Sequence, residues 1–211
     1  YSKSESNVIV VPHGIFHSYV EKSLVNDNPI IKYEENKTNF LFFGRIEEYK
    51  GIDILLHAYF ELEKKYLNKI TLTIVGSGDF TPYNRLFDKL SNKVLINRWI
   101  KDEEVNKFWR GKNIVTVLPY KDASQSGVIN VAMLNKSLII ASDVGGLSEQ
   151  LDYGRLGILV KANDIKELYN AMSKIANNGF NYYSSYCDEA YKFTENLSWK
   201  KLAETILTKI E

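Results

Sequence analysis

A chain of 211 residues, 45% hydrophobic and 25% charged, has enough apolar material for one large or two small globular domains. Its 27 Lys and Arg stand against 26 Asp and Glu, and a formal charge of +1 excludes a broad basic field for nucleic acid or an anionic membrane. One cysteine, Cys187, excludes an internal disulfide and a Cys-based zinc site, and no apolar run approaches the ~20 residues that span a bilayer. No segment reads as a signal peptide, so a reducing, cytoplasmic setting is expected. The sequons at Asn36, Asn135 and Asn196 then read as chance matches. A start at Tyr1 rather than Met fits a piece excised from something longer. The absence of a Gly/Ser- or Pro-rich linker predicts one domain over residues 1–211.

In chain order, NVIVV at 7–11 predicts a short strand closed by Pro12-His13-Gly14, and the polar stretch 15–38 predicts irregular structure. A strand is expected over 39–43 and a loop over 44–50. A helix after Gly51 follows, its stripe Ile52, Leu55, Leu56, Tyr59 and Leu62 recurring at helical spacing. A strand over 70–75 ends in Gly76-Ser77-Gly78. Thr81-Pro82 reads as an N-cap with a first-turn proline, opening a helix to about Leu90. Then come a strand over 94–96, a helix capped by Asp102 and running through Trp109, and a strand over 113–118. A helix from Ser126, a strand over 138–141 and the pair Gly145-Gly146 follow. A last strand is expected over 158–160. Asp164 with Glu167 reads as a capping box for a helix to Ala176, and two helices follow, over about 182–193 and 198–210. This alternation is the βαβ pattern of a Rossmann-like, doubly wound parallel sheet of the α/β class.

In such a sheet, ligands sit outside the carboxyl ends of the strands, and a small-residue helix start offers unpaired N–H groups to a phosphate. Ser126-Gly127 opens such a helix. Arg45 and Lys50 lie in the first strand-to-helix loop, as a phosphate fork and a point charge or, equally, as two surface cations balanced by Glu47 and Glu48. Gly76 and Gly78 permit a tight turn, but G-x-G-x-x-G is not completed and no P-loop pattern occurs. A nicotinamide dehydrogenase and a P-loop NTPase are therefore disfavoured. Trp99 could cover a flat base, although an aromatic at this spacing is commonly core. His13, His17 and His57 show no metal-ligand spacing, and Asp143 reads as a turn cap. No Ser-His-Asp set or acid–base pair of carboxylates stands out.

The segments FFGRIEEYKGIDILLHAY, LTIVGSG, INRWIKDEEVNKFW, IVTVLPYKDASQSGVINVAM, LIIASDVGGLSEQL and GILVKANDIKELYNAM together resemble the C-terminal half of a family 4 (group 1) retaining glycosyltransferase of the GT-B type. The resemblance covers roughly residues 39–175. It implies a nucleotide-sugar-binding domain in which Arg45 and Lys50 act catalytically on the donor diphosphate. Gly44, Gly76, Gly78, Ser124, Gln125, Ser126, Gly127 and Val128 would line the donor, and Arg98, Trp99 and Ile100 its base. It further implies no metal and no cofactor beyond the nucleotide-sugar substrate, a glycan or lipid-linked acceptor, and no nucleic acid. The partner would be an N-terminal GT-B domain, with residues 1–20 as the connection and the helix over 198–211 crossing back to it. Any peripheral contact with the inner membrane face would come through that other half.

One departure stands out. The family's Glu-x7-Glu positions fall on Ala123 and Val131, and the helix start reads QSGV. A catalytically degenerate scaffold is therefore a second reading, and a sugar-nucleotide epimerase of related architecture a third.

Overall fold

The computed structural model describes residues 14–15 and 28–210. The predicted strand at 7–11, His13, His17 and most of the connection read into residues 1–20 lie outside these. Six strands form one parallel sheet: β1 Thr38–Phe43, β2 Ile70–Gly76, β3 Lys93–Asn97, β4 Ile114–Leu118, β5 Leu138–Ser142 and β6 Ile158–Val160. Their spatial order is β3-β2-β1-β4-β5-β6. The helices are α1 Ile52–Tyr66, α2 Asn84–Phe87, α3 Asp102–Val105, α4 Gly127–Leu134, α5 Leu147–Gln150, α6 Ile165–Asn178, α7 Ser184–Phe193 and α8 Trp199–Ile210.

The central strands are apolar runs rather than alternating ones because both faces of the sheet are covered. Phe40, Leu41 and Phe42 of β1, Val115 and Val117 of β4 and Ile139 and Ile140 of β5 are fully buried. The chain winds outward from β1 to β3 and then from β4 to β6, so right-handed crossovers place the connecting helices of the two halves on opposite faces. The last strand returns through α6, which packs on α1, while α7 packs on α4. The direction of winding reverses between β1 and β4. Two crossover chains leave the carboxyl edge there in opposite directions, which opens a crevice.

Two features hold the β1 side. The buried Glu63 carboxylate of α1 accepts the Ser91 and Asn92 N–H groups at 2.8–3.0 Å, and Tyr59 donates to the Asn92 carbonyl at 2.9 Å. Both fix the loop entering β3. Gly51 has φ +67°, and a Cβ there would lie 1.9 Å from the Pro119 carbonyl oxygen, so only glycine lets α1 start this close to the end of β4.

Several local expectations are corrected. The Asp79 carboxylate, not Thr81, caps the segment after β2, accepting Thr81 N–H at 2.9 Å. That helix is a 3-10 turn, Thr81–Tyr83, plus the single α-turn α2, and stops at Phe87. Asp102 is the first residue of α3 rather than its cap; Lys101 precedes it, and Glu104 accepts the Lys101 N–H at 3.2 Å. Asp164 does cap α6 through Glu167 N–H, but Glu167 reaches back to Lys161 N–H instead of closing the box on Asp164.

Candidate functional site

The carboxyl end of β1 delivers Phe43, Gly44 and Arg45 to the crevice, and a 3-10 turn, Glu48–Lys50, brings Lys50 back over it. From the other side, β4 ends at Leu118, and the loop 119–126 leads into α4 with Ser126 as N-cap. A cleft of about 370 Å³ lies between them, lined among others by Gly44, Arg45, Tyr49, Lys50, Gln125, Ser126, Gly127 and Val128. A second cleft of about 180 Å³ adjoins it, formed by Gly76, Ser77, Arg98, Trp99, Ile100 and Asp102. Phe43, Gly44, Arg45 and Val105 line both. Trp99 is 73% exposed at the lip of the smaller cleft, not core.

The structure thus brings together all of the expected donor-site residues except Ser124 and Gly78. Ser124 lines neither cleft; its carbonyl accepts Gly146 N–H at 3.0 Å. Gly78 belongs to a turn pinned by Asn97, whose amide accepts Gly78 N–H at 3.3 Å and donates to Gly78 O at 3.0 Å. Ala123 also stands outside the clefts, while Val131 forms part of the wall of the larger one.

Lys50 is held in an aromatic slot. Its Nζ lies 3.7 Å from the Tyr120 ring centroid and 4.8 Å from that of Tyr49. Ring faces attract the ammonium, yet burial, with Arg45 nearby, lowers its pKa from 10.5 to about 8 against the opposing pull of Glu47. Arg45 is exposed, 2.9 Å from Glu47, with Nη2 3.5 Å from the Tyr49 hydroxyl. A solvent-exposed ion pair of this kind is worth little and exchanges readily for a better anion.

Tyr120 and Gln150, which the sequence reasoning missed, support the walls of the larger cleft. Tyr120 is fully buried beneath Lys50, and its hydroxyl meets Ser126 Oγ at 3.3 Å; burial raises its pKa to about 12, which keeps it neutral. Gln150, at the end of α5, accepts Ser126 N–H at 2.7 Å and donates to Ser126 O at 3.2 Å. This two-pronged clamp holds the peptide at the start of α4, where Gly127 and Val128 follow in the cleft. Nothing local in sequence pairs residues 24 positions apart; a glutamine placed just after a double glycine was the only available signal. The loop 123–126 is also backed by Gly145, at φ +50°, where a Cβ would lie 1.7 Å from the Ala123 carbonyl oxygen. Lys121 N–H donates to Tyr49 O at 2.7 Å and its ammonium pairs with Asp53 at 3.0 Å, joining the two loops that carry the cations and the helix start.

At the smaller cleft, Arg98 forms a bidentate pair with Glu104 at 2.7 and 2.8 Å and donates to Trp99 O at 3.0 Å. The guanidinium pulls the Glu104 carboxyl down to about 2. Arg98 therefore braces the Trp99 turn. Among the described residues no group of three or more His, Cys, Asp or Glu is arranged to hold a metal ion, and no helix is long and apolar enough to cross a membrane.

The arrangement is one of positive charge and helix-start N–H groups facing a cleft, beside a slot edged by an exposed indole. An uncharacterised glycosyltransferase of Methanocaldococcus jannaschii is 28% identical over 201 residues, 94% of this chain and 51% of that protein. The chain spans about half the length of the curated relatives it matches first. Among solved structures, the C-terminal domain of a group 1 glycosyl transferase (LpcC) from Francisella tularensis superposes with a TM-score of 0.65 at 16% identity, covering 92% of this chain and 97% of that one. Sucrose-phosphate synthase from Thermosynechococcus elongatus superposes with a TM-score of 0.68 at 20% identity, over 93% and 48%. The model of the family Glycosyl transferases group 1 matches residues 37–178. The chain, with the fold of a GT-B C-terminal domain, belongs to the group 1 glycosyl transferases.

Proposed function

We propose that the chain is the donor-binding half of a retaining glycosyltransferase, taking a nucleoside diphosphate sugar. The observation that carries this reading is the convergence of Arg45, Lys50 and the start of α4 on one cleft at the switch point. In the proposed complex the diphosphate lies between the two cations and the N–H groups of Gly127 and Val128, with the base in the smaller cleft. As the sugar–phosphate bond breaks, charge builds on the leaving diphosphate. Fixed cations and a helix N-terminus stabilise that charge without reorganising and without calling on a metal. The acceptor, a glycan or lipid-linked glycan, would meet the sugar from a complementary N-terminal domain, which transfer would require.

Calorimetric titration with UDP, GDP, ADP and their sugar conjugates tests the reading. One charge-assisted hydrogen bond is worth about 1.5–3 kcal/mol, so Arg45→Ala and Lys50→Ala should each weaken the preferred nucleotide ~10- to 100-fold while the fold persists. Two variants that bind like the native chain would remove the site assignment.

A catalytically degenerate scaffold is the second reading, favoured by Ala123 and by the apolar Val131 in the cleft wall. It predicts no turnover even with a complementary domain supplied; sugar transfer or donor hydrolysis in that assembly would end it.

A further inference from the structure

The two clefts meet at Phe43, Gly44, Arg45 and Val105, which line both. Resting on the donor reading above, a diphosphate at Lys50 and the α4 start with a base in the Trp99 slot puts the intervening pentose over this junction. Its chemistry is unlike that of a site built to hold a sugar hydroxyl. Phe43 and Val105 are apolar, Gly44 has no side chain, and the donors of Arg45 are taken up by the diphosphate in the donor reading. On the α4 side the larger cleft is lined by Gln125, Ser126 and Gly127 together with Val128 and the buried Val131. Ser77, Arg98 and Asp102 line the smaller cleft alone, and Arg98 is already committed to Glu104. None of the four residues common to both clefts carries a side-chain acceptor.

We propose that this cleft does not read the 2′-hydroxyl of its donor, so that ribo- and 2′-deoxyribonucleoside diphosphates are both ligands. The physical basis is asymmetric. A site that hydrogen-bonds a hydroxyl leaves its own buried polar group unpaired when the hydroxyl is removed, whereas an apolar wall loses nothing with the deoxy compound and discriminates only weakly against the extra hydroxyl.

The test is calorimetry on the native chain with the pairs UDP and dUDP, GDP and dGDP, and ADP and dADP. For whichever base binds, the two members should agree within about threefold, because neither gains a partner. A charged acceptor on the hydroxyl would instead favour the ribo member by roughly tenfold or more, and that result overturns the inference. Abolition of such a preference by Asp102→Ala would name the acceptor. Arg45→Ala separates this failure from that of the donor reading. Equal weakening of both members places them in this cleft. If neither member binds, or both bind regardless of Arg45, the donor reading fails and takes the inference with it.

Discussion

Lys50 sits in a pocket that lowers its proton affinity, and the consequence has opposite signs for binding and for stability. Its pKa of about 8 means that the free site loses its ammonium as pH rises through 8. A diphosphate is attracted by the ammonium, and its own second ionisation, near ~6, is complete by then. Nucleotide affinity should therefore fall between pH 7 and pH 9.5 by up to about tenfold per pH unit, with one proton taken up on binding. Lys50→Met should bind weakly with a flat profile. An unchanged slope in that variant would assign the proton to another group. Stability runs the other way: between about 8 and 10.5 the unfolded chain holds a proton on Lys50 that the folded chain does not, so the fold gains stability as pH rises across this window. The residues involved were unevenly legible in the sequence. Arg45 and Lys50 lie in one short loop, where local spacing suffices to group them. Tyr120, whose ring centroid lies 3.7 Å from the Lys50 ammonium, is 70 positions further on, in a stretch that reads as a polar loop. Trp99 was ambiguous for the opposite reason: an indole signals burial in composition, and only the turn braced by Arg98 and Glu104 turns it outward.

At the scale of elements, the start of α4 works as an anion cradle only if its first peptides stay aimed at the cleft, and that aim comes from outside the helix. Gln150 clamps the Ser126 peptide through both its N–H and its carbonyl, and Gly145 and Gly146 let their loop press against the Ala123 and Ser124 carbonyls. Gln150→Leu removes both hydrogen bonds at similar volume. Two part-buried bonds at about 0.5–1.5 kcal/mol each predict a loss of ~1–3 kcal/mol, read by chemical denaturation together with weaker nucleotide binding. Gln150→Glu should keep the bond from Ser126 N–H, lose the one to Ser126 O, and place a negative charge beside the anion site. It should therefore retain more stability than the leucine variant yet bind nucleotide no better. Wild-type affinity in both variants would show that α4 aims itself. Gly145→Ala should cost more than either, since a left-handed φ and a backbone collision add: about 1–2 kcal/mol for the conformation alone, before the loop moves. The strands and the longer helices were readable from periodicity because each buries its own pattern. The short helices were not. The segment after Thr81 and the one at Asp102 lasts about one α-turn, and side chains of residues 79 and 104, rather than the residues at the expected cap positions, satisfy their first N–H groups.

The whole molecule places its candidate site where the winding reverses, between β1 and β4, and builds one continuous core around those two strands. The cleft walls are therefore the ends of its most deeply buried elements: Phe42 and Leu118, each immediately inside the site, are fully buried. Fluctuation of the cleft is coupled to the core rather than confined to a surface loop, so a ligand bridging the β1 and β4 loops should stabilise the molecule as a unit. At 100 times its dissociation constant, a nucleotide adds ~2.7 kcal/mol to the native state. For a chain of this size each kcal/mol raises the midpoint by roughly 2–4 °C, giving a shift of roughly 5–10 °C. Differential scanning calorimetry should show one cooperative transition that moves upward intact with nucleotide. At the same nucleotide concentration Arg45→Ala should cut the shift to about half or less while leaving the ligand-free midpoint nearly unchanged, because its ion pair with Glu47 is exposed. Were the transition to split, with only its lower part moving, the β1 and β4 halves would be independent units, and the argument that one sheet couples the cleft to the core would fall.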